Sequence, residues 1–164
     1  MSLKDKIGPE AFRRFINLWP PFLGGGIKVT KIGKDFNDIT VEMKLRSWNS
    51  NYFGTHYGGS MFSMTDPFFA LIATKNLGRD YIVWDKESSI KFKKPGVGKI
   101  SAHFNISAEK LQEIRDFADK NPKVEPTFIV EIKDEKGDVV AEVSKTLYIR
   151  RKDKQPKPRS PKAA

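Results

Sequence analysis

Residues 60–78 read SMFSMTDPFFALIATKNLG. Apolar or small side chains fall on nearly every side of this stretch and Gly78 closes it, so it is predicted as a buried helix rather than a surface one. Period-2 segments lie on both sides. Upstream, Ile27, Val29 and Lys31 are followed by Ile39, Val41, Met43 and Leu45, which alternate with Thr40, Glu42, Lys44 and Arg46; this predicts two strands joined near residues 34–37. Downstream, residues 81–94 alternate, as do 98–106 through Ile100, Ala102, Phe104 and Ile106. Phe128, Val130 and Ile132 then lead through a DEKGD turn to a partner strand over 139–150. One apolar helix flanked by strands, without crossover helices between successive strands, predicts an α+β fold: an antiparallel sheet wrapped around one long central helix.

Two further helices are marked. Gly8 and Pro9 start the first, with Phe12, Phe15, Ile16 and Trp19 at i, i+3, i+4 and i+7, and Pro20 and Pro21 stop it. Ser107 is an N-cap for the second, Ile106 and Leu111 fit a hydrophobic staple, and Leu111, Ile114 and Phe117 are its expected apolar side. The 164 residues suit a single domain over 1–151.

The charge is unevenly placed. The chain carries +10, but its last 15 residues hold seven basic side chains and one acidic, leaving +4 on the body, where the signs alternate. No specific nucleic-acid face is expected on the domain. Residues 152–164, rich in Pro and Lys, are expected to form a disordered basic tail; a tether to RNA or an anionic membrane is its functional alternative. With no Cys, thiol chemistry, disulfides and iron–sulfur sites are excluded, and the two histidines, His56 and His103, are too far apart in sequence to suggest a metal centre. No cofactor is called for. The first residues lack the apolar core of a signal peptide and no apolar run is long enough to span a bilayer, so a cytoplasmic location is expected.

Chemistry concentrates in residues 51–67, NYFGTHYGGSMFSMTDP. Gly58 and Gly59 precede the central helix, whose first N–H groups and positive dipole end suit a carbonyl oxygen gaining charge, or simply a tight turn. Asp66 stands in an otherwise apolar helix, where an unpaired carboxylate is disfavoured. On a continuous helix Gly59, Ser63, Asp66 and Ala70 share one small, polar stripe, with Asp66 about 10 Å beyond Gly59 along the axis, and Pro67 predicts a kink beside Asp66. Alternation in YIVWDKESSIKF puts Ile82, Trp84, Ile90 and Phe92 inside together with Lys86 and Ser88, unless a bulge resets it; in either register Asp85 or Lys86 must face the core. Two readings of Asp66 stay level: a catalytic base, or half of a structural pair with Lys86.

NYFGTHYGGSMFSMTDPFFA resembles the signature of hotdog-fold acyl-CoA thioesterases of the phenylacetyl-CoA type, in which Asn, two spacers and Gly precede a His-Gly-Gly that opens the central helix, with an Asp seven positions after the second Gly. ESSIKFKKPGVG resembles the strand and turn that follow. The resemblance covers about residues 8–150 and is strongest to a branch known only as a domain of unknown function. It implies catalytic roles for Asn51, Gly59 and Asp66, with Gly58 beside them as a substrate contact. Tyr57 stands where the family has His, and His56 lies one residue earlier, so the carbonyl-orienting role falls to a phenol or to a displaced imidazole. The implied reaction is hydrolysis of an acyl- or aryl-CoA thioester, with Asp66 orienting or deprotonating water or attacking directly, and the Gly59 N–H stabilising the oxyanion. Ser63, Phe62, Trp84 and Lys86 are the expected substrate contacts, Phe53, Phe68 and Phe69 further acyl-tunnel candidates, and Lys91, Lys93 and Lys94 candidates for the CoA phosphates. Asp66 and the helix start of one chain are too far apart to hold one carbon, so the resemblance implies a homodimer with joined sheets, or a dimer of dimers. A non-catalytic acyl-CoA or lipid binder is the alternative.

Overall fold

The computed structural model describes residues 7–153. Its element order is α1 (Pro9–Ile16), α2 (Pro20–Gly25), β1 (Ile27–Ile32), β2 (Asp38–Lys44), α3 (Gly58–Ser63), α4 (Phe68–Leu77), β3 (Tyr81–Phe92), β4 (Lys99–Asn105), α5 (Ala108–Lys120), β5 (Thr127–Asp134) and β6 (Val139–Arg151). The strands form one antiparallel sheet in the order β1-β2-β4-β5-β6-β3. All six predicted strands are present, and α4 packs against β3, β4 and β6 on the sheet's inner face. The expected architecture of a sheet wrapped around a central helical segment holds.

The central segment is broken more sharply than a kink. Met64 ends α3, and Pro67, which follows a cis peptide bond, precedes α4. Proline has no N–H to donate and disfavours helical backbone in the residue before it, and the Thr65 hydroxyl donates back to the Phe62 carbonyl at 2.7 Å. Asp66 therefore lies between two helices, and the helical rotation that would align it with Gly59 does not apply.

The core is aromatic at its centre. The Phe68 and Phe69 rings lie 4.9 and 5.2 Å from Phe104, and Phe69 stacks on Phe128 at 4.9 Å. Phe68 and Phe69 are thus core residues rather than walls of a tunnel. α1 ends at Ile16, before the expected Trp19, and Pro20 and Pro21, read as its stop, instead occupy the first turn of α2, a helix the sequence reading did not include. In α5 the Ser107 hydroxyl accepts from the Lys110 N–H at 3.2 Å, and Ile106 and Leu111 are both buried. Its buried side is Leu111, Ile114 and Ala118, whereas Phe117 is exposed, because seven residues return to the same helical face and six do not. Among the described residues no helix is long and apolar enough to cross a membrane. The expected tail over 152–164 lies outside the described residues apart from Lys152 and Asp153; the Lys152 N–H donates to the Asp80 carbonyl at 2.8 Å.

Candidate active site

In β3, Tyr81, Val83 and Asp85 pair with inward positions of β6. A bulge between Asp85 and Glu87 then shifts the register, so that Ser88, Ile90 and Phe92 face inward. The bulge places Asp85, not Lys86, on the core side. Lys86 is exposed and bonds Glu125 at 2.5 Å, so the pair expected between Lys86 and Asp66 does not form. Trp84 faces the outer side of the sheet, stacked on Tyr148 with centroids 4.5 Å apart, and not the inner side with Phe62.

The partner of Asp66 is Lys145. Inward positions of β6 are Ala141, Val143, Lys145, Leu147 and Ile149, so an ammonium stands in an apolar series, with a side chain only 4% exposed. Its Nζ donates to Asp66 Oδ1 at 2.9 Å and lies 3.6 Å from Asp85 Oδ1 and 6.0 Å from the Phe62 ring centre. A buried ammonium is tolerated only when paired, and Lys145 meets two carboxylates. Burial pushes the Asp85 carboxyl above its ordinary value; Lys145 opposes that shift and the neighbouring Asp66 carboxylate reinforces it. Asp66 itself is 55% exposed, contrary to its expected burial, and Gly59 and Ser63 are exposed as well. The carboxylate is thus held from beneath by a buried cation while one side faces outward.

A second group surrounds the start of α3. Asn51 Oδ1 accepts from the N–H groups of Phe53 and Thr55 at 2.9 and 3.1 Å, and its Nδ2 donates to Thr55 Oγ1 at 2.9 Å and to the His56 carbonyl at 3.3 Å. Asn51 therefore braces its own loop. His56 is buried. Its N–H donates to Gly96 O at 2.9 Å, and its Nε2 lies 3.1 Å from Gly98 O. A carbonyl can only accept, so Nε2 carries the proton; Nδ1 is left buried without a partner, and burial lowers the ring's pKa below 6.5. Tyr57 is exposed, and its ring lies over Gly59 so closely that a Cβ there would sit 2.5 Å from Tyr57 Cε1. A Cβ on Gly58 would meet the Phe92 ring at 3.0 Å. A side chain at either glycine would press on a ring packed against the helix start, and that ring would have to shift.

Asn51, His56, Gly58, Met61 and Phe92 line a cavity of about 490 Å³ that also takes in Lys93 and Lys94. Lys94 is committed to Asp134 and Asp138, both at 2.7 Å, which leaves Lys93 as the more available of the two cations. None of Asp66, Lys145 and Asp85 lines this cavity. One chain therefore brings Asn51, His56 and Gly58 together, and Asp66 with Phe62, but not one group with the other. Two organising residues were missed in the sequence. Lys145 was signalled by a charge within the alternation of β6. Asn49, also buried, accepts from the Arg46 N–H at 2.7 Å and donates to Lys44 O at 3.0 Å and Gly25 O at 3.1 Å; no spacing marks it, because all its partners are backbone groups and one lies 24 residues away.

Residues 8–149 match the family model described as Domain of unknown function (DUF4442), and the chain belongs to that family. No curated protein sequence matches it. Among solved structures it is similar to PA5026 from Pseudomonas aeruginosa, a protein of unknown function described as a probable thioesterase: TM-score 0.78, 21% identity, 87% of this chain and 95% of that one covered. It is also similar to thioesterase HI1161 from Haemophilus influenzae, with TM-score 0.64, 15% identity and 89% and 92% covered. The PaaI protein of the Escherichia coli phenylacetic acid degradation operon gives TM-score 0.59 and 18% identity, with 82% and 87% covered. These likenesses establish a thioesterase-like hotdog fold.

Proposed function

We propose, taking membership of this family and its fold as the premise, that the chain is an acyl-CoA thioesterase whose site is completed across a homodimer. The observation that carries this reading is Asp66: an exposed carboxylate at the helix break, held by a buried lysine on a surface separate from the cavity at the start of α3. In the reaction Asp66 takes a proton from water as its oxygen bonds to the thioester carbonyl carbon. The Gly59 N–H of the facing chain stabilises the oxyanion; the C–S bond then breaks, and the thiolate leaves with the proton returned by Asp66. Phe62 and Ser63 flank the acyl group, and Lys93 faces the CoA phosphates. The pairing surface is β3, a 12-residue edge strand bonded in the sheet to β6 alone, beside the exposed rings of Tyr52, Phe53 and Tyr57.

Thiol release from CoA thioesters of short, medium, long and aromatic acids tests the reading. Turnover by the wild type that falls at least about 100-fold in Asp66→Asn, with acyl-CoA binding retained, is the expected result. One observation favours a second reading, a non-catalytic acyl-CoA binder: the Tyr57 ring lies over Gly59, where a carbonyl oxygen would have to approach. That reading requires binding without turnover in the wild type.

A further inference from the structure

Asp85 is the one charged group of the Asp66 cluster that the proposed reaction leaves unused. Of the inward positions of β3, Tyr81, Val83, Ile90 and Phe92 are aromatic or aliphatic, and Ser88, opposite Lys145, is uncharged. Only the bulge turns a carboxylate inward there. One carboxylate is enough to neutralise Lys145, and Asp66 already accepts from it at 2.9 Å. The second leaves the cluster with one positive charge and two negative ones. Asp85 Oδ1 is buried without a hydrogen-bond partner among the described residues, and Lys145 Nζ, 3.6 Å away, is beyond hydrogen-bond reach. An apolar side chain at that position would avoid the cost of burying this oxygen unpaired. The charged groups that act on Asp85 are Lys145 from β6 and Asp66 from the break between α3 and α4. On β3 itself, Lys86 turns outward to Glu125 and Glu87 is exposed. Exposure divides the two carboxylates: the Asp66 side chain is 55% exposed and that of Asp85 only 26%. With Asp66 as its sole partner, the ammonium would fix that carboxylate and equally oppose its taking a proton from water. A second carboxylate on the same cation offsets this attraction, while the hydrogen bond from Lys145 keeps Asp66 oriented.

We propose that Asp85 is a positioning residue of the site, which offsets the charge of Lys145 so that the ammonium orients Asp66 and still leaves it able to take up a proton. The use of this device rests on the thioesterase reading, but the charge sharing is measurable without turnover. The full chain, labelled with carboxyl-13C aspartate, is titrated by NMR, and the Asp66 and Asp85 signals are assigned by their loss in Asp66→Asn and Asp85→Asn. Coupling between two titrating groups is reciprocal, so the midpoint of Asp85 in Asp66→Asn reads what each carboxylate does to the other. That midpoint is expected to fall by at least about 0.5 pH unit in Asp66→Asn and to rise by at least as much in Lys145→Met. Kinetics supply the second arm. In Asp85→Asn the acid limb of kcat/KM is expected to move at least about 0.5 pH unit lower and the plateau to drop about three- to tenfold, because Asp66 becomes a weaker base. The proposal is overturned if Asp85 titrates unchanged in Asp66→Asn, or if Asp85→Asn loses rate with its acid limb unmoved, the signature of structural support alone. Absence of turnover in the wild type overturns the thioesterase reading instead, and the titration then decides the charge sharing by itself.

Discussion

Lys145 separates positioning from reactivity in the Asp66 cluster. Its ammonium is 2.9 Å from Asp66 and 3.6 Å from Asp85, so Lys145→Met removes the group that fixes the carboxylate proposed to react without removing the carboxylate. A misplacement of about 1 Å costs roughly 100-fold in rate. Lys145→Met is therefore predicted to lower kcat by about 10- to 100-fold while KM changes little, as steady-state kinetics on the best CoA thioester will read. The residues of this cluster were unequally legible. Asp66 stood out because a carboxylate interrupts an apolar stretch, and the charge at 85–86 was known to face inward on one residue or the other. The pairing with Lys145 joins positions 79 residues apart, and only the bulge in β3 decides that Asp85 joins it.

His56 gives a prediction of opposite character. Its imidazole is depressed below the free value of 6.5, so the unfolded chain binds a proton that the folded chain refuses as pH falls past that value. Stability is complete above about pH 6.5 and declines below it. Denaturant titrations between pH 7.5 and 5 are predicted to show this decline in the wild type and a shallower one in His56→Gln. A histidine beside a glycine pair reads equally as a surface or a packing residue. Its burial depends on Gly96 and Gly98, forty residues along the chain.

The elements were more legible than their ends. Alternation located all six strands, and the Ser107 cap with its staple located α5. Ser107→Ala is predicted to cost about 1 kcal/mol, the typical value of a lost N-cap, measurable as a lower denaturation midpoint at unchanged m-value. Reading failed where one residue type has two uses. Pro20 and Pro21, read as a stop, open α2 after α1 has already ended at Ile16, and Pro67 separates α3 from α4 outright because Thr65 also bonds back into the preceding turn.

At the scale of the whole molecule, β3 is a long edge strand next to exposed aromatic rings, a surface that proteins cover or pair. Light scattering on the purified chain is predicted to give twice or four times the 18.7 kDa chain mass, and a monomer would remove the second half of the proposed site. This level was the least legible, because a surface that awaits a second copy is written in the sequence as ordinary exposed and apolar residues.

Asp66 of one chain is proposed to serve the helix start of another, and complementation between two inactive variants reads this out. Asp66→Asn and Gly59→Val chains, each inactive alone, would be unfolded and refolded together and assayed for thiol release. The mixture is predicted to regain roughly a quarter of wild-type activity, because about half of the dimers are mixed and one of the two sites in each combines an intact Asp66 with an intact Gly59. A mixture that forms mixed dimers and stays inactive, while the wild type turns over, would contradict it.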